Sequence, residues 1–141
     1  MFNDSQNLTM GVWFMAMKYK ILVVDDSAAM RMLITAALQD SEFDVVAAAK
    51  DGQEALQYFK DTAPDLVLLD IVMPGMSGVE ALEHIMAFNK NAVVIMASSL
   101  GTEDAVRGAL KAGAKNFLQK PIEQEALLKI LRSTANSYIG K

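Results

Sequence analysis

The chain has 141 residues, 52% apolar and 21% charged, which is one domain's worth of sequence and too apolar for a disordered chain. Thirteen Lys and Arg against seventeen Asp and Glu give a net charge of −4, and the basic residues stand singly, so nucleic acid and anionic membranes are poor partners. Cysteine is absent and histidine occurs once, at His84, which excludes disulfides, thiolate metal sites, cysteine nucleophiles and two-histidine metal sites.

Residues 1–17 carry an apolar stretch from Met10 to Met17. It is too short to cross a bilayer. No Lys or Arg precedes it and no small-residue cleavage pattern follows it, so a secretory signal is not expected and a cytoplasmic location is. The positive mean hydropathy of +0.22 is better explained by strands buried on both faces, as a parallel sheet requires.

From residue 20 onward, strand and helix signals alternate. Residues 20–24 are a β-branched run ending at Asp25-Asp26. Ser27 is a helix cap, and Met30, Leu33, Ile34, Ala37 and Leu38 follow as one apolar stripe. Residues 44–49 read as a second strand. Asp51 and Glu54 have capping-box spacing and open a helix to about Asp61, closed by Pro64. Residues 65–69 are a third strand, reaching Asp70, and Met73-Pro74-Gly75 is a turn. Ser77 and Glu80 repeat the capping-box spacing and open a helix to about Asn89. His84 falls in mid-helix, on the solvent side. Residues 92–97 are strand four, ending at Ser98-Ser99. Gly101-Thr102 lead into a helix through Ala112, stopped by Gly113. Residues 116–119 are strand five, followed by Lys120-Pro121. A last helix, with no evident cap, runs from Glu123 to about Ser137 with Leu127, Ile130 and Leu131 inward. Five βα units without a linker predict a parallel sheet covered on both faces, a doubly wound α/β domain over residues 18–139.

In such a sheet, ligands bind beyond the carboxyl ends of the strands. Strand one places Asp25 and Asp26 there, strand three Asp70, strand four Ser98 and strand five Lys120. Each alone has a plain reading: a helix cap for an Asp or for Ser98, an exposed lysine for Lys120. Together they make a chemical set. Three clustered carboxylates repel and need a cation, and hard oxygen ligands suit Mg²⁺, which keeps waters for a phosphate. A lysine and a hydroxyl beside it suit the oxygens of a phosphoryl group, and a carboxylate there can act as nucleophile.

The segments LVVDDS at 22–27, LLDIVMPGMSG at 68–78, MASS at 96–99 and AGAKNFLQKP at 112–121 resemble the receiver domain of two-component response regulators, here stand-alone and chemotaxis-like. The resemblance covers residues 18–139. It implies a (βα)5 flavodoxin-like fold with strand order 2-1-3-4-5. It makes Asp70 the phosphoryl acceptor, with Asp26, Asp70 and the Val72 carbonyl as direct Mg²⁺ ligands and Asp25 acting through a metal-bound water. Lys120 binds the phosphoryl group, and its bond to Pro121 is expected to be cis. Ser98 is the switch hydroxyl, where many members carry Thr, and Phe117 is its aromatic partner, where some carry Tyr.

By the same resemblance the phosphodonor is a histidine kinase or a histidine phosphotransfer protein. The changed surface, formed by the fourth helix, fifth strand and fifth helix, then controls a separate effector protein. The chain is expected to be a monomer or a weak dimer formed on phosphorylation. The competing enzymatic reading is a Mg²⁺-dependent phosphohydrolase with an aspartyl-phosphate intermediate. Such enzymes place a second acid near the nucleophile, and Ile71-Val72-Met73-Pro74 supply none. Two further expectations follow. Residues 1–17 are dispensable for folding and phosphorylation. The phosphorylated form is long-lived, because Val72 and Leu100 flank the approach of a hydrolytic water and neither can orient one.

Overall fold

A computed structural model of the chain describes residues 18–139. The expectation that residues 1–17 are dispensable lies outside the described residues. Ten elements alternate: β1 (Tyr19–Val24), α1 (Ala28–Ala37), β2 (Phe43–Ala49), α2 (Gly52–Thr62), β3 (Leu66–Asp70), α3 (Gly78–Phe88), β4 (Val94–Ser98), α4 (Glu103–Lys111), β5 (Asn116–Gln119) and α5 (Gln124–Tyr138). The strands form one parallel sheet in the order β2-β1-β3-β4-β5. The order reverses direction at β1 and β3, so a crevice opens beyond their carboxyl ends.

The apolar runs of β1, β3 and β4 are continuous because each face of the sheet has its own core, and the two-residue period of a strand feeds both. Leu22, Val24, Val67, Leu69, Val94 and Met96 point to one side, where they meet Ala55 and Phe59 of α2, Ala81, Leu82 and Ile85 of α3, and Ala109 of α4. Ile21, Val23, Leu66, Leu68, Ile95 and Ala97 point to the other, against Ile34 and Leu38 at α1 and Leu127, Leu131 and Ala135 of α5. Edge strand β2 is less buried, and its pairing with β1 shifts register between Ile21 and Leu22.

Side-chain caps set four of the five helix starts. Ser27, Asp51, Ser77 and Thr102 each accept from the backbone N–H three residues on. At α2, Glu54 also reaches back to the Lys50 N–H at 3.0 Å. α5 begins after Glu123 with no side-chain cap. The end of α2 turns through Ala63 at φ 46°, a left-handed conformation, just before Pro64. The predicted elements all form, with ends shifted by one or two residues; Asp70 and Ser98 are the last residues of their strands rather than the first beyond them.

One predicted core position is corrected. Leu33 is 51% exposed, and Met32 beside it more so. α1 meets the second core along a narrower line, through Met30, Ile34, Ala37 and Leu38. This leaves i+3 of the expected stripe on its solvent flank.

Candidate functional site

The carboxyl ends of β1 and β3 bring Asp25, Asp26 and Asp70 together, with one carboxylate oxygen of each within 4.8 Å of the others. Asp25 and Asp70 are buried while Asp26 is exposed. The strands leave no freedom here: the Asp25 N–H donates to the Ala49 carbonyl at 3.0 Å, and the Ile71 N–H to the Ala97 carbonyl at 3.2 Å. The two members of the acidic pair are not equivalent. Asp25 accepts from the Ser27 N–H at 2.9 Å through Oδ1 and from Lys120 Nζ at 2.8 Å through Oδ2. Asp26 accepts no hydrogen bond among the described residues and is exposed at the crevice.

Lys120 enters from β5, whose end is tied to β4 by the Lys120 N–H donating to the Ser98 carbonyl at 2.9 Å. Its peptide bond to Pro121 is cis. Its Nζ lies 3.5 Å from Asp70 Oδ2 as well as 2.8 Å from Asp25. One ammonium thus serves two buried carboxylates, with a third close by. Burial raises the Asp70 pKa above the ordinary carboxylate value. The Lys120 charge and the Val72 backbone N–H oppose that rise, and the neighbouring charges of Asp25 and Asp26 add to it. Burial pulls the Lys120 ammonium down, but the hydrogen bond to Asp25 and the charges of Asp70 and Asp25 outweigh it, and its pKa is raised.

The acid excess defines what the pocket accepts. All donors are hard oxygens, no soft or nitrogen ligand is present, and two of the three carboxylates are buried without a cation of their own beyond Lys120. This set fits Mg²⁺, and the exposed, unbonded Asp26 leaves its oxygens free for it.

Ser98 is 1% exposed at the end of β4, and its Oγ accepts from the Leu100 N–H at 3.1 Å. It does not cap α4; Thr102 does. Phe117 pairs with Met96 across the sheet and is half-buried against the first core. Val72 and Leu100, on the loops after β3 and β4, are 55% and 51% exposed. His84 is exposed on α3, away from these residues, as expected.

Two features of the site were not read from the sequence. Arg31 Nη1 donates to the Asp25 carbonyl at 2.7 Å and ties α1 to the acidic pair. The signal was available: Arg31 stands one turn into the helix that Ser27 caps, on the side of the strand end. Gly78, the first residue of α3, packs on Asp70 itself. A Cβ there would lie 2.0 Å from the Asp70 carbonyl oxygen, and the Gly78 N–H donates to the Ile71 carbonyl at 2.7 Å. Only glycine allows that approach.

A doubly wound sheet with an acidic trio, a hydroxyl and a lysine at its carboxyl edge defines a phospho-acceptor receiver domain, a signalling module and not a classical enzyme. The model of the response regulator receiver domain matches residues 21–132, and the chain belongs to that family. It is 45% identical over 116 residues to the chemotaxis protein CheY of Listeria monocytogenes, covering 82% of this chain and 98% of that one. It is 42% identical over 120 residues to CheY of Bacillus subtilis, covering 85% of this chain and all of the other. Among solved structures, a chain of the CheX–CheY–BeF3–Mg²⁺ complex from Borrelia burgdorferi is 39% identical, with a TM-score of 0.79 over 82% of this chain and 87% of that one. Among the described residues no helix is long and apolar enough to cross a membrane.

Proposed function

We propose that this chain is a single-domain response regulator, with residues 18–139 as the receiver and residues 1–17 outside it. It accepts a phosphoryl group on Asp70 from a histidine kinase or histidine phosphotransfer protein and presents a changed surface to an effector protein. The observation that carries this reading is the unequal bonding of the acidic pair. Asp25 is fully engaged by Ser27 and Lys120, whereas Asp26 is free beside Asp70. That division supports Asp26, Asp70 and the Val72 carbonyl as the direct Mg²⁺ ligands, with Asp25 one water further out. The likeness to a complex solved with BeF3 and Mg²⁺ points the same way.

Bound Mg²⁺ supplies positive charge to the phosphoryl oxygens and offsets the carboxylates that otherwise repel an incoming phosphate. The protein's own groups do the rest. Asp70 is held at the strand end with one oxygen toward the crevice, so its attack needs no search for orientation. The donor's P–N bond breaks as the Asp70 Oδ–P bond forms, and the leaving imidazole keeps the electron pair. Lys120 already lies within 3.5 Å of Asp70 and needs only to swing from Asp25 to reach a phosphoryl oxygen. The Ser98 hydroxyl accepts from Leu100 and keeps its own proton to donate, so it can bond the phosphoryl group as the switch residue with Phe117 following it.

The state this produces is long-lived. Val72 and Leu100 stand half-exposed on the two loops that frame the crevice, and neither has a group to orient a water. The likeness to chemotaxis proteins supports an effector in a motility pathway.

Mass spectrometry of the full chain, treated with a small acyl phosphate and Mg²⁺, tests the acceptor assignment. One base-labile phosphoryl group is expected, absent in Asp70→Asn and absent when Mg²⁺ is chelated. Equal labelling of Asp70→Asn and wild type would contradict the assignment.

A further inference from the structure

We propose that Gly52 and Met76 are positioning residues for the acceptor site: the thioether of Met76 is seated on Gly52 and so holds the loop that carries Val72. The inference rests on the reading of Asp70 as acceptor and of the Val72 carbonyl as a Mg²⁺ ligand. The loop in question, residues 71–77, joins β3 to α3 and has no regular structure of its own. One end is fixed to the acceptor, where Gly78 packs on the Asp70 carbonyl and closes a hydrogen bond to Ile71. That contact does not by itself fix the middle of the loop, where Val72 stands 55% exposed and Gly75 turns the chain at φ 76°.

The second anchor comes from a different part of the chain. Gly52 is the first residue of α2 and is buried. A Cβ built on it would lie 2.6 Å from Met76 Sδ and 3.0 Å from both Met76 Cβ and Cγ. The near atoms include the root of the Met76 side chain as well as its flexible end, so a methyl group at residue 52 presses on the side chain where it joins the loop and not merely on the thioether. Met76 also packs against the first core, which closes the escape route in that direction. The backbone at Gly52 is ordinary helix, so the glycine is there for space. α2 is itself pinned, by the Asp51 cap and by Phe59 in the core, and makes a rigid seat. Positions that orient a ligand from behind typically change metal affinity by tenfold or more.

The test measures Mg²⁺ affinity of the full chain by calorimetry, with labelling by a small acyl phosphate as second readout, in wild type, Gly52→Ala, Met76→Ala and Gly52→Ala/Met76→Ala. Gly52→Ala is expected to weaken Mg²⁺ binding about tenfold and to slow labelling in step, with the thermal midpoint little changed. The double variant is expected to recover only to the level of Met76→Ala, above Gly52→Ala but severalfold below wild type, because removing Cγ and Sδ relieves the closest contacts of the new methyl group while the seat stays empty. Wild-type affinity in Gly52→Ala, or no recovery in the double variant, overturns the proposal. Should Gly52→Ala not fold, Met76→Ala alone decides. It frees the loop without adding bulk, so it must weaken Mg²⁺ binding severalfold, and unchanged affinity refutes the seat. A wild-type chain that neither binds Mg²⁺ nor labels would instead sink the functional reading and leave the packing argument aside.

Discussion

α3 and α4 follow adjacent strands and cover the same face of the sheet, yet they are held very differently. α3 buries Gly78, Ala81, Leu82 and Ile85, starts on the Asp70 carbonyl and is capped by Ser77. α4 buries only Ala109, has an exposed glycine in mid-helix at Gly108, and shows Leu110 46% exposed. The first follows Asp70, the acceptor in the proposed function, and the second follows Ser98, the proposed switch residue. A site that must hold three carboxylates in register needs the rigid neighbour. A switch needs an element whose position depends on few contacts, because a single hydrogen bond can then outweigh them. Under the proposed function, the asymmetry separates chemistry from readout within one crevice.

Truncation tests it most severely. Ile85→Ala is expected to destabilise the chain by about 3 kcal/mol, the usual cost of emptying a fully buried site. Gly108→Ala, where a Cβ meets nothing within 4 Å, is expected to stabilise by up to ~1 kcal/mol. Urea unfolding midpoints with unchanged slopes measure both. If Gly108→Ala costs stability, α4 is more constrained than the comparison holds.

The next effect is kinetic and sits between the two helices. Val72 belongs to the loop before α3 and Leu100 to the loop before α4. Replacing them with residues that orient a water, Val72→Asn with Leu100→Glu, is expected to lower the hydrolysis barrier by about 1–3 kcal/mol, one to two decades in rate. The readout is the decay of purified phosphoprotein in Mg²⁺ without partners. An unchanged decay would refute water exclusion as the source of the long lifetime.

The smallest effect reads the cost of the acid cluster. Burial raises the Asp70 pKa in the folded state. Its proton-linked contribution therefore favours folding below the unfolded carboxylate value and is lost as pH rises through the higher folded value. At neutral pH and without metal, the charged Asp70 is a net cost. Asp70→Asn is thus expected to raise stability at pH 7 by roughly 1 kcal/mol, with a smaller gain near pH 4. Mg²⁺ is expected to stabilise wild type more than the variant. A gain that does not grow with pH would show that the carboxylate is not the source.

How much of this was legible in the residues follows the range of the interactions. Helix caps are local, and Ser27, Asp51 and Ser77 stand where their spacing put them, while α4 is capped by Thr102 and not by Ser98. The sheet was legible because the apolar runs of β1, β3 and β4 are short and uninterrupted. The site was legible as residues at strand ends, through Asp25, Asp26, Asp70, Ser98 and Lys120, since parallel strands all deliver their last residues to one edge. Strand order came from the resemblance, not from periodicity. What stayed hidden was set by distant parts of the chain. Leu33 has the right spacing for the core, but how much of α1 the sheet covers depends on where the edge strand lies. The bidentate pairing of Arg132 with Glu42, the hydrogen bond of Lys20 to Asp65, and the seats at Gly78 and Gly52 all join segments with no shared local pattern. The different roles expected of Asp25 and Asp26 came from the resemblance, but the bond from Lys120 that engages Asp25 and not Asp26 joins strand ends far apart in sequence.

The most direct measurement of the account is amide hydrogen exchange of the full chain in Mg²⁺, before and after phosphorylation, resolved by residue. Exchange changes are expected to concentrate from Leu100 through Lys111 and along β5, while α3 from Ala81 to Ile85 keeps its protection. Changes of equal size in α3 and α4, or larger ones in α3, would contradict the claim that the acceptor side stays fixed while the α4 side carries the signal.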